Sequence, residues 1–326
     1  MSICDLGTHG GIRLFAGSGC PELAAEISEY LGVPLSGRDV YQFPNENIFV
    51  KLHESIRGQD VFLIQTTSSP VNHNIMEMLI FLDTLKRASA DRITVVIPYL
   101  AYGRSDRKDQ PRVPITARLL ADLIEVAGAN RYVTLDLHAD QIQGFFSVPG
   151  DVMTAFPILA DHFREKHLEN AVVVSADLGF AKKARNLAQE LNLPLALIEK
   201  RRTGTDTQAL ALVGEVEGRD VIIADEQVDT GGTLTSAARL VREHGARAVY
   251  LCFAHAVFSS PAVERLQALN VEGIVTTNSI PIPVEQCQRL PNLVVLSVAD
   301  LLGEVIQRVH EGCSVGAMFE RYKRYE

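Results

Sequence analysis

Residues 221–233 carry the strongest chemical signal of the 326-residue chain, reading Val221-Ile222-Ile223-Ala224-Asp225-Glu226-Gln227-Val228-Asp229-Thr230-Gly231-Gly232-Thr233. An apolar strand runs into two adjacent acids, then a loop of glycines and hydroxyls, then a helix that starts near Leu234. Glycines let main-chain N–H groups converge, Thr230 and Thr233 add hydroxyl donors, and a helix N-terminus favours an anion. A phosphate therefore fits over Asp229, Thr230, Gly231, Gly232 and Thr233. Asp225 and Glu226 are acceptors suited to vicinal hydroxyls, and phosphate beside diol acceptors describes a ribose phosphate. An ordinary Gly-rich turn is the plain alternative; the acids and the loop occurring together weigh against it.

A second group of residues is cationic. Arg104 and the run Asp106-Arg107-Lys108 form a basic knot just past a strand end, suited to an anionic triphosphate at the carboxyl end of a parallel sheet. Lys200-Arg201-Arg202 is another basic run after a strand, which taken alone reads as a solvated surface. No Gly-x-x-x-x-Gly-Lys element occurs, and Gly17-Ser18-Gly19 is followed by Glu22 where the dinucleotide fingerprint needs its third glycine. A P-loop kinase is excluded and a Rossmann dehydrogenase disfavoured.

The elements that must position these residues alternate between short apolar strands and longer helical patterns. Strands are expected at Val61–Gln65, Ile93–Ile97, Tyr132–Leu137, Ala171–Val174, Val221–Ala224, Val249–Phe253 and Gly273–Thr276. Between them, Asn74–Arg87 has helical spacing. Ile115–Ala127 places Ile115, Leu119, Leu123, Ile124 and Ala127 on one side of a helix opened by Pro114 and ended by Gly128. Near-continuous apolar strands separated by helices mean a parallel sheet covered on both faces, so the class is α/β. Gly58-Gln59-Asp60-Val61 and Gly218-Arg219-Asp220-Val221 open the same strand, loop, helix, turn and strand series, which suggests two similar domains. The post-strand loop Thr66-Thr67-Ser68-Ser69-Pro70 of the first copy lacks the acids of the second. On that duplication the second copy kept a sugar-phosphate site and the first did not.

Composition agrees with a folded chain of about two domains: 47% hydrophobic, 22% charged, 23 glycines and 14 prolines. A net charge of −9 makes a nucleic acid an unexpected partner. No apolar run approaches the ~20 residues a bilayer needs, and the N-terminus shows no signal-peptide pattern, so no membrane partner and a cytoplasmic location are expected. The five cysteines are scattered without a CxxC pair and read as reduced thiols.

The 221–233 element resembles the phosphoribosyl-pyrophosphate loop of the type I phosphoribosyltransferase fold. The resemblance extends from Arg13 to about Phe319 to one family, the ribose-phosphate pyrophosphokinases. Matching stretches include Glu54-Ser55-Ile56-Arg57-Gly58, Leu85-Lys86-Arg87-Ala88-Ser89-Ala90, Leu135-Asp136-Leu137-His138-Ala139, Gln141-Ile142-Gln143-Gly144-Phe145-Phe146 and Thr276-Thr277-Asn278-Ser279-Ile280. The resemblance implies two tandem doubly wound domains, 1–153 on the nucleotide side and 154–296 with the ribose-phosphate site, and a tail 297–326 whose helix Ala299–His310 returns to the first domain. It implies transfer of the diphosphoryl group of ATP, with Mg²⁺ as cofactor, to the 1-hydroxyl of ribose 5-phosphate, giving phosphoribosyl pyrophosphate and AMP. Lys200 and Arg202 correspond to the family's catalytic cations, with Arg202 also at the ribose phosphate. Phe43, Asn45, Glu46, Asn47, Arg104, Ser105, Asp106 and Lys108 correspond to its ATP-binding positions, and His138 and Asp177 to its metal–ATP ligands. A homo-hexamer, in which neighbouring subunits complete the nucleotide pocket, is implied as well.

The chain departs from that pattern at three places. Phe43-Pro44-Asn45-Glu46-Asn47 has Glu46 for the family's glycine and Asn47 for its acid, which removes an easy positive-φ turn and a charged acceptor. Arg104-Ser105 shortens an Arg-Gln pair, and Asp177-Leu178-Gly179-Phe180 brings a bulky ring beside the metal-side acid. A binding or regulatory relative without turnover is the alternative motivated by these departures. A phosphoribosyltransferase would explain the 225–233 loop but not the first domain.

Overall fold

The computed structural model describes residues 9–203 and 207–320, with the main chain alone at 200–203, 207–210 and 319–320. Two compact units result. Among the described residues, 9–154, Ser279–Pro281 and 297–320 make up the first, and Ala155–Asn278 with Ile282–Leu296 the second.

The first unit runs β1 (Ile12–Ala16), α1 (Pro21–Leu31), β2 (Arg38–Gln42), β3 (Ile48–Leu52), β4 (Asp60–Ile64), α2 (Val71–Arg87), β5 (Arg92–Ile97), α3 (Thr116–Ala127), β6 (Arg131–Leu135) and β7 (Gly150–Met153). Its five-stranded sheet has the order β1-β4-β5-β6-β7, all parallel, and Leu35 bridges to Leu14 on the far side of β1. β2 and β3 form a separate antiparallel ribbon. The second unit runs α4 (Phe156–Glu165), β8 (Ala171–Ser175), α5 (Ala181–Leu191), β9 (Leu195–Thr203), β10 (Thr207–Val213), β11 (Asp220–Val228), α6 (Gly232–Glu243), β12 (Ala248–Ala256), α7 (Ala262–Leu269), β13 (Gly273–Thr277), α8 (Val284–Arg289) and β14 (Leu293–Leu296). Its sheet order is β10-β9-β8-β11-β12-β13-β14, with β10 alone antiparallel. The chain ends with α9 (Ala299–Glu311) and α10 (Gly316–Glu320), and α9 packs on α1 within the first unit, Gly303 lying against the Tyr30 ring.

The class is α/β with parallel sheets. Strands such as β4, β8 and β13 are buried at every position because helices cover both sheet faces, which is why they are apolar without alternation. Strand order reverses between β1 and β4 in the first unit and between β8 and β11 in the second.

The repeat is reproduced bond for bond. Gly58 and Gly218 take φ of 69° and 67°, and their amides donate to Ser89 O at 3.0 Å and Gly245 O at 2.8 Å. Asp60 then accepts from Arg92 Nε at 2.8 Å and Nη2 at 2.5 Å, while Asp220 accepts from Arg247 Nε at 2.8 Å and Nη2 at 2.7 Å. Each aspartate starts a strand and clamps an arginine at the start of the next. In the first unit His310 Nδ1 of α9 also lies 2.8 Å from Asp60 Oδ2.

Three expectations differ from what is observed. α3 buries Ala117, Leu120, Ala121 and Ile124, whereas Leu119, Leu123 and Val126 are exposed. The helix is apolar on two sides, so periodicity alone selected the wrong face. β9 continues through Lys200 and Arg202, which pair in register with Leu210 and Gln208 of β10, so the basic run is inside a strand instead of after one. Cys20, Cys252 and Cys287 are free thiols, but Cys313 is disulfide-bonded; the spacing carried no signal of that bond. Among the described residues no helix is long and apolar enough to cross a membrane.

Candidate active site

In the second unit the loops after β8 and β11 flank the reversal of strand order, the place where open α/β sheets bind ligands. Asp229, Gly232 and Thr233 are half-buried and Thr230 is exposed, so this loop faces solvent. Gly231 takes φ of 75° as the N-cap of α6, and Thr235 Oγ1 returns to its carbonyl at 2.8 Å. A side chain there is disfavoured, and the following amides are left at the free end of the helix.

Asp225 and Glu226 lie within β11, which runs on to Val228. Adjacent strand residues project to opposite faces. Glu226 is buried and its Oε2 meets Lys183 Nζ of α5 at 2.9 Å, while Asp225 is half-buried and its Oδ1 accepts the Glu226 amide at 2.8 Å. The two acids therefore do not present side by side. After β8, Asp177 is half-buried and its Oδ1 accepts from Phe180 N at 3.1 Å at the start of α5. The Phe180 ring points into the core, 5.3 Å from Phe156, so it does not crowd Asp177. The side chains of Lys200 and Arg202 lie outside the described residues.

In the first unit Arg104, Ser105, Asp106 and His138 line one cavity of about 460 Å³ with Arg107 and Gln141. Its walls come from the 101–113 loop and the stretch after β6. Asp136, with φ of 39°, turns the chain out of β6, and its buried carboxylate accepts from Thr154 Oγ1 at 2.7 Å, so His138 emerges exposed at the strand's end. Gly103 permits the close approach, since a Cβ there would come within 3.1 Å of His138 Cβ. The loop is tied to α3 by Ala117 N donating to Ser105 O at 3.2 Å, and to α2 by Tyr102 Oη donating to Asn72 Oδ1 at 2.7 Å. Gln141 Nε2 donates to Asp106. Lys108 is exposed and does not line the cavity.

Phe43, Asn45, Glu46 and Asn47 form the turn between β2 and β3, away from that cavity's walls. Glu46 adopts φ of 68° despite its side chain, so the positive-φ turn expected to be lost is kept. Phe43 N donates to Asn47 O at 2.8 Å, Glu46 N to Phe43 O at 2.8 Å and Gln42 Nε2 to Glu46 O at 3.1 Å, which together offset the roughly 1–2 kcal/mol of left-handed strain. Phe43 packs edge-on to Tyr41 at 5.1 Å on an exposed aromatic face.

Sequence reading missed Arg265, whose Nη1 donates to Thr230 O at 2.9 Å, and Lys183, the partner of Glu226. Both come from helices distant in sequence, and no local spacing marks them.

Residues 12–128 match the family model described as the N-terminal domain of ribose phosphate pyrophosphokinase, and residues 202–320 match one described as a phosphoribosyl synthetase-associated domain. The ribose-phosphate pyrophosphokinase of Nostoc sp. is 48% identical over 310 residues, covering 94% of this chain and 93% of that protein. The enzyme of the same name from Bacillus caldolyticus is 48% identical over 310 residues, covering 95% and 98%. The crystal structure of phosphoribosylpyrophosphate synthetase from Mycobacterium smegmatis matches with a TM-score of 0.88 at 42% identity, over 93% of this chain and 99% of that one. With nearly its whole length aligned at this identity, the chain belongs to the ribose-phosphate pyrophosphokinase family.

Proposed function

We propose that this chain transfers the β,γ-diphosphoryl group of ATP to the 1-hydroxyl of ribose 5-phosphate, giving phosphoribosyl pyrophosphate and AMP. The observation that supports it most is the open glycine-hydroxyl loop Asp229–Thr233 at the switch point of the second sheet, in a chain of this family. The hydroxyl oxygen bonds to the β-phosphorus, the bond from that phosphorus to the α–β bridging oxygen breaks, and the hydroxyl proton is lost. Such a transfer needs in-line positioning and neutralisation of phosphate charge, with little covalent work by the protein.

The roles divide by unit. Thr230, Gly231, Gly232 and Thr233 take the 5-phosphate through main-chain amides and hydroxyls, with Asp225 and Asp229 as acceptors for the pentose hydroxyls. Glu226 supports that loop through Lys183. Arg104, Ser105, Asp106 and His138 line the ATP cavity, Lys108 adds charge at its rim, and Phe43, Asn45, Glu46 and Asn47 contact the base. Lys200 and Arg202 stabilise charge at the transferring phosphorus, and Arg202 also meets the sugar phosphate.

Among the described residues no three His, Cys, Asp or Glu side chains gather as a preformed metal site. Mg²⁺ does not require one, because it keeps its waters and leans on substrate phosphates with one or two carboxylates. The half-buried Asp177 carboxylate fits that need, and the His138 imidazole suits ATP oxygens better than the ion. When bound, Mg²⁺ supplies neutralisation of the phosphate oxygens. We further propose a homo-hexamer acting in the cytoplasm, with the exposed aromatic turn of β2 and β3 completing a neighbour's nucleotide pocket.

Incubation with ATP, Mg²⁺ and ribose 5-phosphate should release AMP and phosphoribosyl pyrophosphate in equal amounts. Absence of both products at high ATP overturns the proposal. Lys200→Ala should lower AMP release by roughly 100-fold or more, as expected for a cation at developing charge; unchanged release removes Lys200 from this role.

A further inference from the structure

Both units have a crevice where strand order reverses. In the first unit the crevice lies between the loop after β1, Gly17-Ser18-Gly19-Cys20, and the loop after β4, Thr66-Thr67-Ser68-Ser69. The first loop leads into α1, so its amides and the helix end together have the make-up of an anion site. Protein already fills it. Ser18 N donates to Glu77 Oε1 at 2.6 Å, and Gly19 N to Gln65 Oε1 at 2.9 Å.

Glu77 comes from the second turn of α2, and its side chain is 1% exposed. Its Oε2 accepts no hydrogen bond and faces His73 Nε2 at 3.7 Å, an ion-pair distance when the imidazole is protonated. Thr66 Oγ1 is likewise buried without a partner. Gln65, Thr66, Thr67, Ser68 and Asn74 are all buried, and they are braced by Gln65 Nε2 on Asn74 O at 3.2 Å and Asn74 Nδ2 on Ser68 O at 2.9 Å. Burying a carboxylate with one oxygen lacking a hydrogen bond is unfavourable, and it persists where surrounding dipoles need a negative charge. The topological counterpart in the second unit is the loop after β8, where the half-buried Asp177 Oδ1, a residue of the loop itself, accepts from Phe180 N at 3.1 Å.

We propose that Glu77 is a built-in anion seated over the amides of the loop after β1, closing the first unit's switch-point crevice to a small oxyanion. The occupancy by Glu77 does not rest on the reading of Asp229–Thr233 given above. Removing the carboxylate reopens the first crevice to a small oxyanion, of which inorganic phosphate and acetate are the simplest.

Thermal melting of the full chain tests this, with wild type, Glu77→Ala and Glu77→Gln each in chloride, acetate or phosphate at equal ionic strength. Glu77→Ala should melt lower in chloride and recover by about 3–6 °C in acetate, a shift that wild type and Glu77→Gln do not show. Radiolabelled inorganic phosphate should bind Glu77→Ala at one more site per chain than wild type. Equal acetate responses in wild type and Glu77→Ala, or equal phosphate stoichiometries, overturn the proposal. If Glu77→Ala does not fold, Glu77→Gln decides: it keeps the shape without the charge, so stability equal to wild type shows that the amides need no anion, and a drop of tenfold or more in the folding constant supports it. Ribose 5-phosphate binding by wild type reports separately on the second unit.

Discussion

Arg265 Nη1 donates to the main-chain carbonyl of Thr230 at 2.9 Å, reaching from α7 the loop proposed to hold the sugar phosphate. In a trans peptide the carbonyl and the next amide point in opposite directions, so fixing Thr230 O also aims Gly231 N. An arginine outside the loop thereby orients a donor inside it. Arg265→Gln should raise KM for ribose 5-phosphate roughly tenfold, the value of one hydrogen bond to a charged group, while kcat at saturation changes less. Arg265→Lys should recover part of the loss. Steady-state kinetics with each substrate varied will show it, and an unchanged KM in both variants removes Arg265 from any positioning role.

The β2–β3 turn keeps its positive φ at Glu46, so the difference from the family's pattern that remains is charge at position 47. Asn47→Glu places a carboxylate where the base amine is proposed to bind. The apparent KM for ATP should fall roughly tenfold, since charge-assisted hydrogen bonds are about twice as strong as neutral ones. No change in that constant, with folding intact, would mean that position 47 does not read the base.

The two aspartate–arginine clamps differ in burial, and their worth should differ accordingly. The Asp60–Arg92 side chains are 0% and 18% exposed, against 8% and 53% for Asp220–Arg247. Asp60→Ala strands a nearly buried guanidinium and should destabilise by about 3–5 kcal/mol. Asp220→Ala leaves an arginine that water can solvate, so about 1–2 kcal/mol is expected. Denaturant titrations compare the two, and an equal or reversed ranking rejects burial as the deciding factor.

Cys20 sits beneath the Glu77 network, and its thiol is pushed up to about 12, first by burial and further by the nearby Glu77 charge, against a lowering contact with the Thr66 main chain. Burial pushes the Cys252 thiol up as well. At pH 8 the buried thiols stay protonated, so native protein should resist iodoacetamide at both positions while half-buried Cys287 reacts. Mass spectrometry of the alkylated protein reads the pattern; modification of Cys20 ahead of Cys287 contradicts the burial account.

Strand content was legible wherever both faces of a strand are covered, as at β4, β5 and β8, because continuous apolar residues admit few other structures. The turn into α6 was legible because Gly231 and Gly232 follow an apolar strand, and Gly231 caps the helix with φ of 75°. α3 was legible as a helix but not in orientation, since Leu119 and Leu123 lie outside while the smaller Ala117 and Ala121 lie inside. Strand alternation also hid the opposed directions of Asp225 and Glu226, which adjacency in sequence suggests are a pair. Arg265, Lys183 and Glu77 act on main chain or side chains 35, 43 and 59 residues away, and no local pattern encodes such distances.

The glycine–aspartate–arginine fasteners sit where the strands begin, at the end of each sheet opposite the loops that follow its parallel strands. Each half is thus secured at its base by its own rivet. Substitutions at the opposite rim could accumulate without loosening either sheet, so the loops of the two halves were free to diverge.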